Sequence, residues 1–189
     1  MLPANARQAH MEMGDTPMVD KGAFAMLGSD DFFLRQLAAK KDFAAIKDYV
    51  AWTMHAAQAI AVKVVNPGGI SAFKFNQRKL DLDEKHVHYG VTPRDIIVNL
   101  ARGLKELGVT HPLHIHGCNL GVPGGVETTL ATIKGAEGLP IHLTHIQFHS
   151  YDTEGDMKFS SGAVRVAELV NKTKNVSIDV GQVMFGQTC

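Results

Sequence analysis

Ten histidines are the most chemically informative residues of this chain, because eight of them fall within residues 86–149. Neutral imidazole is a common ligand of divalent metals and also serves as a general acid or base. His114 and His116 are two positions apart in the run PLHIH, so a β-strand would present both on one face. His142 and His145 are an odd number of positions apart, so that face takes at most one of them unless the strand bends, and His142 is disfavoured. We therefore predict metal binding by His116 and His145, with His114 left open.

Lys63 interrupts the apolar run AIAVKVV, where an unpaired ammonium group would be costly to bury. A carbamylated lysine would remove that cost, because its new carboxylate can bridge two divalent ions that neutral imidazoles also hold. The alternative for each histidine is a hydrogen-bonded core residue, which is the commoner role of a single histidine in a strand. Several aligned histidines favour a metal site over that alternative.

The elements that must position these residues alternate between helix and strand four times. The clearest helix has Thr92 as its N-cap, Pro93 at its first position and Asp95 in the capping-box position. Residues 1–28 show no sustained apolar period and are predicted as a loop-rich lead-in to a domain spanning residues 29–189. The strands are predicted from short β-branched or apolar runs at residues 59–65, 112–116, 141–146 and 176–180.

Alternation of this kind is typical of α/β folds with parallel strands joined by right-handed crossovers. A doubly wound sheet and a (β/α)₈ barrel both fit the pattern. A full barrel needs about 250 residues, so four strands would form about half of one, and either the sheet is open or the chain is incomplete. Both folds gather functional residues at the carboxyl edge of the strands, where Lys63, His116 and Asp179 are predicted to lie.

The composition argues against several classes of function. Nineteen basic residues balance nineteen acidic ones, so no net field favours nucleic acid or an anionic membrane. No apolar run approaches the roughly 20 residues of a membrane span, and the N-terminus lacks a secretory pattern, so we expect a cytoplasmic protein. The sequence has no GxGxxG, P-loop or GxSxG motif, which argues against dinucleotide binding, NTPase chemistry and acyl-enzyme esterases.

Two further features have ordinary interpretations. The HVH segment at residues 86–88 looks like a metal pair, but it falls in a charged connection, so we expect a solvated or lid role. Cys118 is predicted to be buried and inert rather than reactive. With Cys189 it makes only two cysteines, which are too few for a disulfide scaffold.

Five long segments resemble the catalytic A subunit of formylmethanofuran dehydrogenase, which has a counterpart in the formyltransferase/hydrolase complex of methylotrophic bacteria. These segments run through nearly the whole chain, which makes the resemblance specific. They are AVKVVNPGG (61–69), YGVTPRDII (89–97), HIHGCNLGVPGGVETTL (114–130), HLTHIQFHSY (142–151) and VSIDVGQVMFGQT (176–188).

The resemblance implies a (β/α)₈ barrel of the amidohydrolase superfamily with a dinuclear zinc centre. Proteins of this kind interconvert N-formylmethanofuran and water with formate and methanofuran, the formyl carrier of methanogenesis and methylotrophy. By resemblance Lys63 matches the carboxylated bridging lysine, His116 the histidine of the following strand, and His145 the next metal histidine. The implied partners are the other subunits of the dehydrogenase or hydrolase complex.

The resemblance also implies a substrate site on this face of the protein, with Asn119, Gln147 and Asp179 as the predicted contacts. The first-strand HxH pair of the superfamily has no counterpart in residues 1–28, where His10 is the only histidine. The eighth-strand aspartate, a ligand and general base, would lie beyond the last residue. We therefore expect an internal fragment covering roughly strands four to seven of a longer protein, inactive alone.

Two other functions stay open. A dihydroorotase-like or dipeptidase-like amidohydrolase would use similar metal residues, although the PGG and HxxGxNLGVPG segments favour the formyl-amine family. A non-catalytic scaffold would need neither Lys63 nor the clustered histidines. The archaeal dehydrogenase with its tungsten or molybdenum partner and the redox-free bacterial complex both fit the resemblance.

Overall fold

The computed structural model describes residues 1–67 and 80–181, which form a parallel sheet covered by helices. The helices are α1 (Ala6–Gly14), α2 (Asp31–Ala38), α3 (Phe43–Ala57), α4 (Pro93–Glu106), α5 (Gly125–Gly135), α6 (Ile146–His149) and α7 (Ala163–Lys172). The strands are β1 (Phe24–Met26), β2 (Ala61–Val65), β3 (Leu113–His116), β4 (Ile141–Leu143), β5 (Tyr151–Asp152), β6 (Ser160–Ser161) and β7 (Val176–Ile178). Short 3₁₀ turns occupy Pro3–Asn5 and Asp156–Lys158.

The main sheet has five strands in the order β1-β2-β3-β4-β7, and each neighbouring pair is parallel. Strands β5 and β6 form a separate antiparallel pair inserted between β4 and α7. The five main strands therefore follow one another across the sheet in the same order as along the chain. This arrangement confirms the predicted parallel α/β fold.

The two faces of the sheet differ in polarity, because successive residues of a strand point to opposite sides. Val62, Val64 and Ile115 are fully buried, and they belong to one core with Ile96 and Leu100 of α4. The residues between them in sequence are polar and half-buried, and they project from the opposite face. Those residues include Lys63, His114 and His116.

The predicted helix starts are confirmed in detail. At the start of α4 the Thr92 hydroxyl accepts from the Asp95 N–H at 3.1 Å, and the Asp95 carboxylate accepts from the Thr92 N–H at 2.9 Å. This reciprocal capping box satisfies two backbone donors that a helix start leaves open. Asp30 caps α2 in the simpler way, accepting from the Phe33 N–H at 2.8 Å.

The prediction that residues 1–28 form a loop is wrong. They contain α1 and the sheet strand β1, which pairs in parallel with β2, so the sheet has five strands rather than four. Helix α1 buries only Ala6 and therefore has no apolar stripe that a sequence pattern could show. Strand β1 is three residues long, too short for a clear two-residue alternation.

The third predicted strand also ends earlier than expected. Strand β4 stops at Leu143, and His145 adopts a left-handed backbone with φ of 43° before α6 begins. The last strand likewise ends at Ile178 rather than at residue 180. Part of the predicted connection after β2, residues 68–79, lies outside the described residues. In the part of the chain that is described, no helix is long and apolar enough to cross a membrane.

Candidate functional site

A polar row crosses three strands of the sheet. Lys63 of β2 is in register with His114 of β3, which is in register with His142 of β4. The rings of His114 and His142 stack with centroids 4.3 Å apart. Parallel strand register therefore places a lysine and two histidines side by side, although long stretches of sequence separate them.

A second histidine pair lies one step further toward the carboxyl edge. His116 Nδ1 and His145 Nε2 are 2.7 Å apart, and their rings meet edge to face. The early end of β4 and the left-handed turn at His145 make this contact possible. The strand bend that would allow both His142 and His145 to reach one face is therefore present in the structure.

Asp179, which follows β7, connects the two histidine pairs. Its carboxylate lies 3.0 Å from His142 Nε2 and accepts a short hydrogen bond from the backbone N–H of His145. The other nitrogen of His142 lies 2.8 Å from the hydroxyl of Ser177. Partial burial alone would raise the pKa of Asp179, but the bonds from His142 and from the His145 backbone outweigh it and lower that pKa.

The histidines of the site favour their neutral form. Burial, followed by the neighbouring His142 and Lys63, lowers the pKa of His114 to about 4. Burial, followed by His145 and Lys63, lowers the pKa of His116 to about 4. A neutral imidazole carries the lone pair that a metal ion requires, so near neutral pH these rings have the protonation state of ligands.

Two nitrogens of the site are buried without a hydrogen-bond partner among the described residues. They are Nδ1 of His114 and Nδ1 of His145. Buried polar atoms are nearly always paired, so such atoms indicate a missing partner. Lys63 takes part in none of the ion pairs of residues 1–67 and 80–181. Within those ranges, however, no three His, Cys, Asp or Glu side chains converge closely enough to hold a metal as they are placed.

Asn119 and Gln147, predicted as substrate contacts, are occupied by other bonds in the structure. The Asn119 amide donates to Asp81 at 2.8 Å and to the Thr128 hydroxyl at 2.9 Å, which links the residue-80 segment to α5. The Gln147 amide donates to the Gly181 carbonyl at 2.5 Å and accepts from the Gly181 N–H at 3.1 Å. Their roles in substrate binding stay predictions.

The HVH segment and Cys118 have different outcomes. His88 is exposed, but His86 is fully buried and its Nδ1 accepts from the backbone N–H groups of His88 and Tyr89, so the expectation of a solvated segment is wrong for His86. Cys118 is buried as predicted, and burial raises the pKa of its thiol to about 12. A thiol of that kind is unreactive near neutral pH.

His149 is a member of the cluster that sequence reasoning did not single out. It is buried behind the site, with its ring centroid 5.8 Å from that of His145. Burial, followed by the nearby His145 and His116, lowers its pKa to about 3. The signal was present in the sequence, because His149 follows His145 by four positions and a short helix turns both toward the same region.

Comparison with known proteins gives consistent relatives. The chain is 41% identical over 191 residues to the Fhc protein of type A from the formyltransferase/hydrolase complex of Methylorubrum extorquens, covering 98% of this chain and 35% of the relative. It is 39% identical over 199 residues to "Protein FwdA" of Methanocaldococcus jannaschii, covering 100% of this chain and 35% of the relative. No family model matches the chain.

The fold comparison agrees. The structure superposes with a TM-score of 0.93 and 40% identity on a chain of the formyltransferase/hydrolase complex FhcABCD from Methylorubrum extorquens, whose crystal structure is in complex with methylofuran. The match covers 97% of this chain and 34% of that chain, so this chain spans about a third of the length of its relatives. The resemblance found in the sequence is thus confirmed: nearly the whole chain is homologous to about one third of the Fhc type A protein and of FwdA.

Proposed function

We propose that this chain supplies part of the zinc-binding site of a formyl amidohydrolase, which interconverts N-formylmethanofuran and water with formate and methanofuran. The observation that carries the proposal is the row of Lys63, His114 and His142 beside the His116–His145 pair. It occurs in a chain 41% identical to a protein named for a formyltransferase/hydrolase complex. The other subunits of such a complex are the proposed partners.

The strand order supports a barrel rather than a doubly wound sheet. In a doubly wound sheet the strand order reverses at a switch point, whereas barrel strands follow one another around the sheet in chain order. The five main strands run in chain order throughout. We therefore assign them to five consecutive strands of a (β/α)₈ barrel, with the polar row facing its interior. With Lys63 on the fourth strand, as the resemblance implies, these are strands three to seven.

The residues present fit the proposed zinc centre in three respects. The imidazoles of His114 and His116 favour the neutral form, and Nδ1 of His114 and of His145 are buried and unpartnered among the described residues. Lys63 has no acidic partner there, so its modification to a carbamate would provide the negative charge that two divalent ions require. We assign Lys63, His116 and His145 as the protein ligands, with His114 as a fourth.

The chemistry divides between the metal and the protein. When bound, zinc would polarise the formyl carbonyl and make water a nucleophile at neutral pH. Addition of water to the formyl carbon and cleavage of its bond to nitrogen release formate and the amine. The chain's own contribution is to hold neutral imidazoles in fixed directions, with one ring proton shared between His116 Nδ1 and His145 Nε2 before zinc is bound.

A substrate comparison tests this function against the dihydroorotase-like alternative. The intact protein would be assayed with an N-formyl furfurylamine, the minimal formylated amine of the carrier, and with a cyclic ureide, at matched zinc concentration. We expect hydrolysis of the formyl amine alone. Turnover of the ureide alone would assign the site to another amidohydrolase, and turnover of neither, in protein that carries its partner subunits, would support a scaffold.

A further inference from the structure

The segment after β7 packs directly against the turn that carries His145. Three features of that segment act on the same four residues of backbone, from His145 to Phe148. They are a carboxylate, a backbone carbonyl with its neighbouring amide, and a close contact that requires glycine.

The carboxylate is that of Asp179, which accepts from the backbone N–H of His145. The backbone carbonyl of the same residue accepts from the Ile146 N–H at 2.9 Å. One residue therefore binds two consecutive N–H groups at the point where β4 has ended. Asp179 is itself held in line, since its own N–H donates to the Leu143 carbonyl at 3.2 Å.

The backbone of His145 needs such support. Its φ of 43° lies in the left-handed region, which costs a residue with a Cβ on the order of 1 kcal/mol or more. Without an external partner the turn would relax toward an extended backbone. That change would carry the imidazole away from His116, because the 2.7 Å contact depends on the direction of the turn.

Gly181 completes the support by its lack of a side chain. A Cβ at this position would come within 2.6 Å of the His145 Cβ. The close approach lets the Gly181 backbone exchange two hydrogen bonds with the Gln147 amide. Asp179 and Gly181 thus bind the turn on both sides of His145.

We propose that Asp179 is a positioning residue, which acts on the site through the backbone of His145 and the ring of His142, and that Gly181 is required for the same purpose. This inference rests on the proposed zinc function for its consequence, but not for its geometry. It replaces direct substrate contact as the role of Asp179, because both carboxylate oxygens are already occupied by protein donors.

The test compares Asp179→Ala, Asp179→Asn and Gly181→Ala in the intact protein. Val180→Ala is the control, because that side chain lies in the same segment and is 77% exposed. Two quantities are measured for each variant: zinc affinity by competition with a chelator, and hydrogen exchange of the His145 amide.

We expect Asp179→Ala to weaken zinc binding about 10- to 100-fold and to speed exchange at His145, as for loss of other groups that orient a ligand. Asp179→Asn should retain most of both properties, because its side-chain oxygen can still accept from the His145 N–H. Gly181→Ala should weaken zinc binding although it removes no polar group. Val180→Ala should change neither quantity.

Wild-type zinc affinity and exchange in Asp179→Ala, with turnover lost equally in the Ala and Asn variants, would overturn the proposal in favour of direct substrate contact. If Asp179→Ala does not fold, the Gly181→Ala variant decides, and unchanged zinc affinity there would overturn it. Absence of zinc from the wild-type protein would instead contradict the proposed function. The exchange rates would still show whether Asp179 holds the His145 turn.

Discussion

The imidazoles of His116 and His145 meet nitrogen to nitrogen at 2.7 Å, Nδ1 facing Nε2, across two neighbouring strands. One of the two nitrogens must carry the proton and the other must accept it. A zinc ion bound to both nitrogens would displace that proton and take its place. The pair is therefore expected to act as one unit toward a metal.

Removing either member of this pair should weaken zinc binding nearly as much as removing both. We expect the double variant His116→Ala, His145→Ala to lose less affinity than the sum of the single losses, because the two side chains share one partner. Chelator competition gives the affinities. His55→Ala, which removes an exposed histidine of α3, is the control and should bind zinc normally. Additive losses would show two independent sites.

Asn119 offers a test of structural against substrate-binding roles. Asn119→Ala removes bonds to Asp81, Thr128 and the Leu80 N–H, so we expect the free energy of unfolding to fall by about 1–3 kcal/mol. Denaturant titration measures this change. An unchanged unfolding free energy with a raised KM would assign Asn119 to the substrate instead.

Two glycines should respond to alanine in opposite directions. A Cβ at Gly125 would overlap the backbone oxygen of Asn119, so Gly125→Ala should lower the free energy of unfolding by about 1–3 kcal/mol. A Cβ at Gly103, inside α4, would lie 3.9 Å from Val50, an ordinary contact. Gly103→Ala should therefore stabilise the protein by about 0.5–1 kcal/mol. Equal thermal stability of the two variants would contradict the packing described for α5.

His149 predicts a loss of stability on mild acidification. Its pKa is about 3 in the folded protein and near the ordinary 6.5 in the unfolded chain, so between these values the unfolded chain binds more protons. The free energy of unfolding should therefore fall as pH is lowered from about 6.5 toward about 3, and should be unaffected by this group above that window.

Denaturant titrations of metal-free protein at several pH values measure this dependence. His149→Asn removes the titrating group and should make the decline shallower, whereas the exposed His55→Asn should leave its slope unchanged. An identical slope in His149→Asn and the wild type would show that His149 is protonated in the folded protein.

Features fixed by local chemistry were predictable from the sequence, and α4 is the best example. Thr92, Pro93 and Asp95 determine its start within three positions, independent of the rest of the fold. The parallel α/β class was likewise predictable, because the alternation of elements allows few other arrangements. Strand β1 was not, since its three residues become a strand only by pairing with β2.

The site was predictable in its membership but not in its arrangement. Sequence spacing placed His114 and His116 on one face, but it could not show that Lys63, His114 and His142 share one register. That register depends on how three strands slide against one another, which no local pattern specifies. The contact between His116 and His145 depends on a left-handed turn supported by a residue 34 positions away.

Zinc content of the intact wild-type protein beside its Lys63→Ala variant, measured by mass spectrometry after expression with ample zinc, tests the central claim most directly. Glu is the matched second variant, because Lys63→Glu supplies a carboxylate without the full reach of a carbamate. We predict about two zinc ions per chain in the wild type, loss of zinc in Lys63→Ala and partial retention in Lys63→Glu. A wild-type protein without zinc, or a Lys63→Ala variant that keeps both ions, would contradict the account.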